Sequence, residues 1–307
     1  MRPLGVTTVV EVGWVEVVYR AARPEDVAVA DEIHRVTRDQ MLTRNNLPVP
    51  QHDPATGRAD FQHVLETGIF EVAEVGGRVA AVCHAVVRDQ VWFLSSFWVL
   101  PEFQNRGIGG PLTRRVTDAG EAQGAGGFCV WSSVDPTAIA TYMKLGMMPG
   151  TQLLKFSAVE EHASLPAVPD GYEKRPLEPE DAMPIDRVVR ATAREVDHRF
   201  WAGQSFRRGR LVLHRGKPCG YYYILDSGDV APAAWLAPVD GDAVLTLACR
   251  DGLDQAGKTG LKFVGSNHQA IRFALQSGFQ FDGYSHFLTT SPFGKLDQYV
   301  VSGPLLF

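Results

Sequence analysis

The sequence predicts a mixed α/β (α+β) protein built from two copies of one unit, each a mostly antiparallel mixed sheet flanked by helices. Three observations carry this. Sets of landmarks recur in the same order with a slowly shrinking offset, 155, then 137, then 132 residues. Within the first copy, strand-like and helix-like segments follow one another as β-α-α-β-β-β-α-β-α, a layered pattern. Between the copies lies a proline-bearing joint with Pro166, Pro169 and a Pro-Asp-Gly turn at 169–171. The expected division is a first domain over 15–157, a linker over 158–171 and a second domain over 172–307.

The repeats are specific. Arg20-Ala-Ala-Arg-Pro-Glu-Asp26 matches Arg175-Pro-Leu-Glu-Pro-Glu-Asp181, and Trp98-Val-Leu-Pro101 matches Trp235-Leu-Ala-Pro238. Ala138-Ile139 with Leu145-Gly146-Met147 matches Ala270-Ile271 with Ser277-Gly278-Phe279. Each copy opens with a strand, Val15–Arg20 or Tyr172–Arg175. A helix follows with Pro-Glu-Asp in its first turn, where proline is tolerated and acidic groups meet the positive end of the dipole. Prolines within Leu47–Pro54 divide the next helical stretch in two. Strands are then expected at Ile69–Val75, Val79–Val87 and Val91–Val99, the first two joined by a Gly76-Gly77 turn. A helix begins near Gly110, Phe128–Ser132 is a short strand, and Asp135-Pro136 starts the next helix with aspartate as cap. The first copy ends soon after Met147, whereas the second has room for strands at Phe281–Thr289 and Gln298–Pro304. The expectation is that the two sheets share or exchange a C-terminal strand.

With 307 residues, 45% hydrophobic and 21% charged, the chain is long enough to bury two cores without staples. A formal charge of −5 and the lack of any basic run argue against nucleic acid as a partner. The four cysteines are solitary and the nine histidines form no ligand pattern, so no metal is expected and a reducing, cytoplasmic setting is. No apolar stretch approaches the ~20 residues that span a bilayer, so no membrane is expected as a partner.

The chemistry is concentrated after Val99. Gln104-Asn105-Arg106-Gly107-Ile108-Gly109-Gly110 places three glycines in four positions ahead of a helix. Such a turn directs backbone N–H groups inward, and the helix adds its unsatisfied amides to the same spot, with Arg106 as a charged contact. This is a cradle for a diphosphate. Gly252-Leu-Asp-Gln-Ala-Gly-Lys-Thr259 has the letters of a P-loop but lies after a helix and before a strand, the reverse of what that motif requires.

The run Val99-x-Pro101-x-x-Gln104-x-x-Gly107-x-Gly109 resembles the acetyl-CoA signature of the GNAT superfamily of N-acetyltransferases. Ala138 to Met147, with Tyr142 and Leu145-Gly146, resembles that family's second landmark. The resemblance spans Val15 to Phe156. It implies a cofactor site at Trp98, Val99, Gln104, Asn105, Arg106, Gly107, Ile108, Gly109, Gly110 and Asp135, the last secondary to its role as helix cap. It implies that the fourth strand splays from the fifth, and that the pantetheine arm pairs with the backbone of 97–100. The N–H of Trp98 or Val99 would then meet the thioester oxygen, and Tyr142 would act as general acid. The family's late-strand carboxylate is replaced by Ser95 and Ser96. The base is therefore unassigned; His84 is the best titratable alternative, against the commoner reading of a structural histidine. The acceptor is a small-molecule or peptide amine, and the protein is a monomer or homodimer. The rival reading is a non-catalytic acyl-CoA-binding or regulatory protein. The second copy keeps Pro238, Asn267, Ala270 and Gly278-Phe279. It has Asp240 and Asp242 at the cradle and Ala274 opposite Tyr142, so it reads as a degenerate domain.

Overall fold

The computed structural model describes residues 7–12, 15–49 and 54–307. The chain divides into two compact units: residues up to Val130 with Asp135–Leu145 and Pro304–Leu306, and Trp131–Val134 with Gly146–Gly303 and Phe307.

In the first unit, strands β1 (Thr8–Val12), β2 (Val15–Ala21), β3 (Ile69–Val75), β4 (Arg78–Arg88), β5 (Val91–Val99) and β6 (Gly127–Ser132) are neighbours in that order. All pair antiparallel except β5 with β6, which are parallel. Strand β1 escaped the sequence reading, although its Thr-Val-Val-Glu-Val run alternates as a strand should. Helices α1 (Asp26–Arg44) and α2 (Pro54–Thr67) cover one face. There Val27, Ala30, Ile33, Phe61, Leu65, Phe70, Val72 and Val82 form a core that Leu305 joins. Helix α3 (Gly109–Ala122) packs on β3 and β4, and where it passes β5 a Cβ on Gly120 would come within 2.2 Å of the Trp92 ring. Helix α4 (Pro136–Lys144) follows β6. Of the proline-rich segment expected to divide α1 from α2, residues 50–53 lie outside the described residues.

The second unit begins with the strand that ends the first repeat, β7 (Met148–Val159). It then contains β8 (Tyr172–Pro176), α5 (Pro179–Arg190), α6 (Glu195–Ala202), β9 (Arg207–His214), β10 (Lys217–Leu225) and β11 (Val230–Trp235). These are followed by α7 (Pro238–Ala256), β12 (Lys258–Val264), α8 (His268–Gln276), β13 (Gln280–Thr289) and β14 (Tyr299–Val300). Strand β7 lies between β13 and β12, antiparallel to both, while β14, β11, β10, β9 and β8 form a second ladder. Phe156 of β7 stacks on Phe263 of β12 at 5.5 Å, inside a core with Trp235, Val244 and Phe279. The expected strand over Gln298–Pro304 is only two residues long and pairs with β11, whereas the other expected C-terminal strand, Phe281–Thr289, is β13 and pairs with β7, so the strand the second repeat gives to the first is β13. As the order of elements required, the P-loop lookalike spans the end of α7 and the start of β12, with Gly257 in the left-handed conformation (φ 64°).

Candidate active site

The first unit's site is built on the outer edge of β5. Strand β6 accompanies β5 only from Val91↔Gly127 to Leu94↔Val130, and a bulge at Ser95 re-aims the strand between the pairs Ala85↔Leu94 and His84↔Ser96. From there to Val99, β5 pairs with β4 alone among the described strands. The Leu100 N–H donates to the Ala80 carbonyl at 2.9 Å. Antiparallel pairing alternates, so Trp98 turns its amide toward β4, whereas Phe97 and Val99 turn N–H and C=O to the opposite edge. Of the two amides named from the sequence, only that of Val99 faces the open side. Its carbonyl accepts from Gln104 Nε2 at 3.0 Å, which ties the following loop to the strand.

That loop runs through a short 3-10 turn at Pro101–Phe103. Asn105 and Gly107 both adopt left-handed backbone (φ 60° and 77°), which asparagine and glycine tolerate best. Ile108 is buried, and its carbonyl accepts from the Tyr19 hydroxyl at 3.1 Å, anchoring the turn from below. No side chain caps the first turn of α3, so its leading amides and positive end are presented to the loop. A Cβ on Gly109 would come 2.6 Å from Phe97 Cζ, while Gly110 opens onto free space. The exposed Arg106 lies over the Phe103 ring at 5.7 Å. A glycine-lined turn, an uncapped helix start and an arginine are the donors a diphosphate needs, so the residues present fit the phosphates of CoA.

Tyr142 on α4 is 6% exposed. Burial raises its pKa, and the nearby Cys83 and Asp135 add in the same direction, so the phenol keeps its proton at neutral pH. Cys83 lies directly across from Phe97, so Tyr142 is held near the part of β4 and β5 whose outer edge is open. Asp135 accepts from the Thr137 and Ala138 amides at 2.8 and 3.2 Å and pairs with Arg44, so its carboxylate is used as a cap.

His84 is wholly buried between Phe61 and Phe70, with ring centroids at 4.9 and 4.7 Å. Burial, reinforced by His34, pulls its pKa down to about 3. It is a neutral core side chain and a poor base, which is the structural alternative foreseen for it. Ser95 and Ser96 are buried, with no hydrogen-bond partner for either hydroxyl among the described residues. The sequence reading missed Glu71 on β3, whose carboxylate takes Arg115 of α3 at 2.8–2.9 Å and whose pKa burial raises. Nothing in either residue's neighbours announces that pairing. Among the described residues no group of acidic, histidine or cysteine side chains is placed to hold a metal. None of their helices is long and apolar enough to cross a membrane.

Residues 33–147 match the family model described as acetyltransferase (GNAT) family. A provisional acetyltransferase from Pyrococcus horikoshii shares the fold with a TM-score of 0.74 at 14% identity, over 95% of this chain and 96% of that one. A GCN5-related N-acetyltransferase from Sphaerobacter thermophilus gives a TM-score of 0.63 at 14% identity, over 92% and 98%. A tandem GNAT protein from the clavulanic acid biosynthesis pathway gives 0.58 at 16%, over 90% and 99%. No curated protein matches the sequence. A GNAT-family domain lies within residues 33–147, and the chain as a whole has the fold of tandem GNAT proteins.

Proposed function

We propose that the first unit is an acetyl-CoA-dependent N-acetyltransferase acting on a primary amine of a small molecule or peptide. The observation that carries this is the unpaired edge of β5 at Phe97–Val99, which opens beside the Gly107–Gly110 turn and the start of α3. Phosphates are held by the amides of 106–110 with Arg106, and the amide groups of the pantetheine arm continue the ladder along β5. The neutral amine attacks the thioester carbonyl, and the Val99 N–H stabilises the oxygen as it becomes negative, a contact worth ~3 kcal/mol at the transition state. Collapse of the tetrahedral adduct breaks the C–S bond. The electron pair leaves on sulfur, and Tyr142 supplies a proton to the thiolate. The ammonium proton of the tetrahedral adduct passes to solvent, since His84 is neutral and enclosed.

The site is expected to work in the cytoplasm, in a monomer or homodimer, with neither nucleic acid nor membrane as partner. The test is release of free thiol from acetyl-CoA with a library of primary amines. Amine-dependent release supports the enzyme and names the acceptor class. Tight CoA binding by calorimetry without turnover on any amine replaces it with the acyl-CoA-binding reading, which the serines at 95 and 96 favour.

A further inference from the structure

The second unit contains the counterpart of the open cleft, and it is filled. Strands β11 and β12 meet at their beginnings through a parallel bridge between Asp229 and Gly260, as β5 and β6 do at theirs. Beyond that point β14 lies along β11. Val300 pairs with Ala233 and Tyr299 with Ala234, antiparallel. On its other edge the Val301 N–H donates to the Lys262 carbonyl of β12 at 2.8 Å, and Asn267 Nδ2 donates to the Tyr299 carbonyl at 3.3 Å. Gln298 Nε2 donates to the Trp235 carbonyl at 2.8 Å, as Gln104 Nε2 in the first unit donates to the last carbonyl of β5, that of Val99. Tyr299, Val300 and Val301 are at most 1% exposed.

The phosphate cradle has gone as well. Residues 100–108 separate β5 from α3, but only Leu236 and Ala237 separate β11 from α7. The acidic pair read from the sequence as the cause is a lesser one. Asp240 is buried and accepts from the Tyr172 hydroxyl at 2.8 Å, and Asp242 accepts from Gln269 at 2.9 Å.

We propose that the cleft between β11 and β12 is a strand-binding groove occupied in cis by Gln298–Val301, lying as an acyl-CoA arm lies along β5, so that the chain takes up one acyl-CoA. A peptide segment adds to an unpaired sheet edge through its main chain, and a groove bonded on both sides leaves no donor or acceptor for a second occupant. The count of one rests on the function proposed for the first unit; the occupancy of the groove does not.

Hydrogen exchange on the full chain, with and without saturating CoA, tests both parts. The amides of Val300 and Val301 should be slowed at least ~1,000-fold relative to an unstructured peptide, since they belong to a buried ladder. CoA should leave them unchanged while slowing amides within 97–110, with a calorimetric stoichiometry of one. Fast exchange at Val300 and Val301, or CoA-induced protection at 233–235, overturns the groove assignment. A stoichiometry of two overturns the count. If CoA protects nothing in 97–110, the function proposed for the first unit falls, and the exchange at Val300 and Val301 still decides the groove.

Discussion

Arg20 grips Asp26 through two parallel hydrogen bonds, Nη1 to Oδ2 at 2.7 Å and Nη2 to Oδ1 at 3.0 Å. Arg175 grips Asp181 in the same way at 2.8 and 2.9 Å. The clamp joins the end of a strand to the first turn of the helix after it, once in each unit. The first copy is buried and also holds Glu74; the second is exposed at Arg175. Removing one member of a buried pair strands the other, whereas an exposed pair contributes little. Arg20→Ala should therefore lower unfolding stability by ~3 kcal/mol, and Arg175→Ala should leave the Tm unchanged. Equal losses in calorimetry would show that burial does not separate the two.

The same clamp fixes a pH dependence. Burial pushes the Asp26 carboxyl up, but the Arg20 hydrogen bond and the Arg23 amide outweigh it, and the net pKa lies below the ordinary 3.8. The stabilisation is present above pH ~4 and is lost as pH falls through the folded value. The stability gap between the wild type and Asp26→Asn in urea titrations should narrow as the pH falls below the ordinary carboxyl value. A gap that stays constant through the acid unfolding range would contradict the assignment.

His84 gives a dependence of the opposite sense. Its folded pKa, about 3, lies below the ordinary 6.5, so the unfolded chain binds the extra proton. Stability is full above 6.5 and declines as the solution is acidified toward 3. Between pH 7 and pH 5 the loss from this residue is ~2 kcal/mol. His84→Phe, which suits the Phe61 and Phe70 rings around it, should remove that part of the decline. A variant with the wild-type slope would mean that the ring is protonated in the folded state.

Gly109 and Gly110 are adjacent in sequence and opposite in surroundings, one against the Phe97 ring and the other open. Gly109→Ala forces Phe97 to move at the edge of β5 and should cost ~1–2 kcal/mol. Gly110→Ala should be neutral or stabilising by up to ~1 kcal/mol, because alanine is the better helix former. CoA affinity should fall for Gly109→Ala and change far less for Gly110→Ala. Equal affinities would detach the Phe97 contact from the site.

The repeat, strands β2 to β6 and the glycine turn are legible in the sequence because each depends on local signals: alternation, proline and glycine punctuation, and a cap; β7 and β9 to β11 are not among the strands it predicts. The Arg20–Asp26 clamp was visible as a recurring Arg…Pro-Glu-Asp string, but its arginine gave no sign of having a partner six residues on. Which amides face the open edge depends on the bulge at Ser95, a one-residue slip that no periodicity displays. The sequence predicts Tyr299–Val300 as part of a longer strand over Gln298–Pro304. Its length and partner follow from a cleft left vacant by the shortened loop after β11, a tertiary fact with no local trace.

Tyr142 offers the sharpest test of the chemistry. Its phenol is buried, and its pKa is raised from the ordinary 10.0 by burial first and then by Cys83 and Asp135. It therefore enters the reaction protonated, as a group that delivers a proton to a departing thiolate must. Tyr142→Phe removes one oxygen and leaves the ring in place, so the Tm should stay within a degree or so and CoA should bind with unchanged affinity. Loss of a general acid costs about 100-fold or more in rate, so kcat should fall by that factor with KM for the donor little altered. In the wild type, no fall in rate below pH 10 should belong to this residue. A basic limb near pH 9 that disappears in the Phe variant would contradict the raised pKa. An unchanged kcat would reduce Tyr142 to a packing residue on α4.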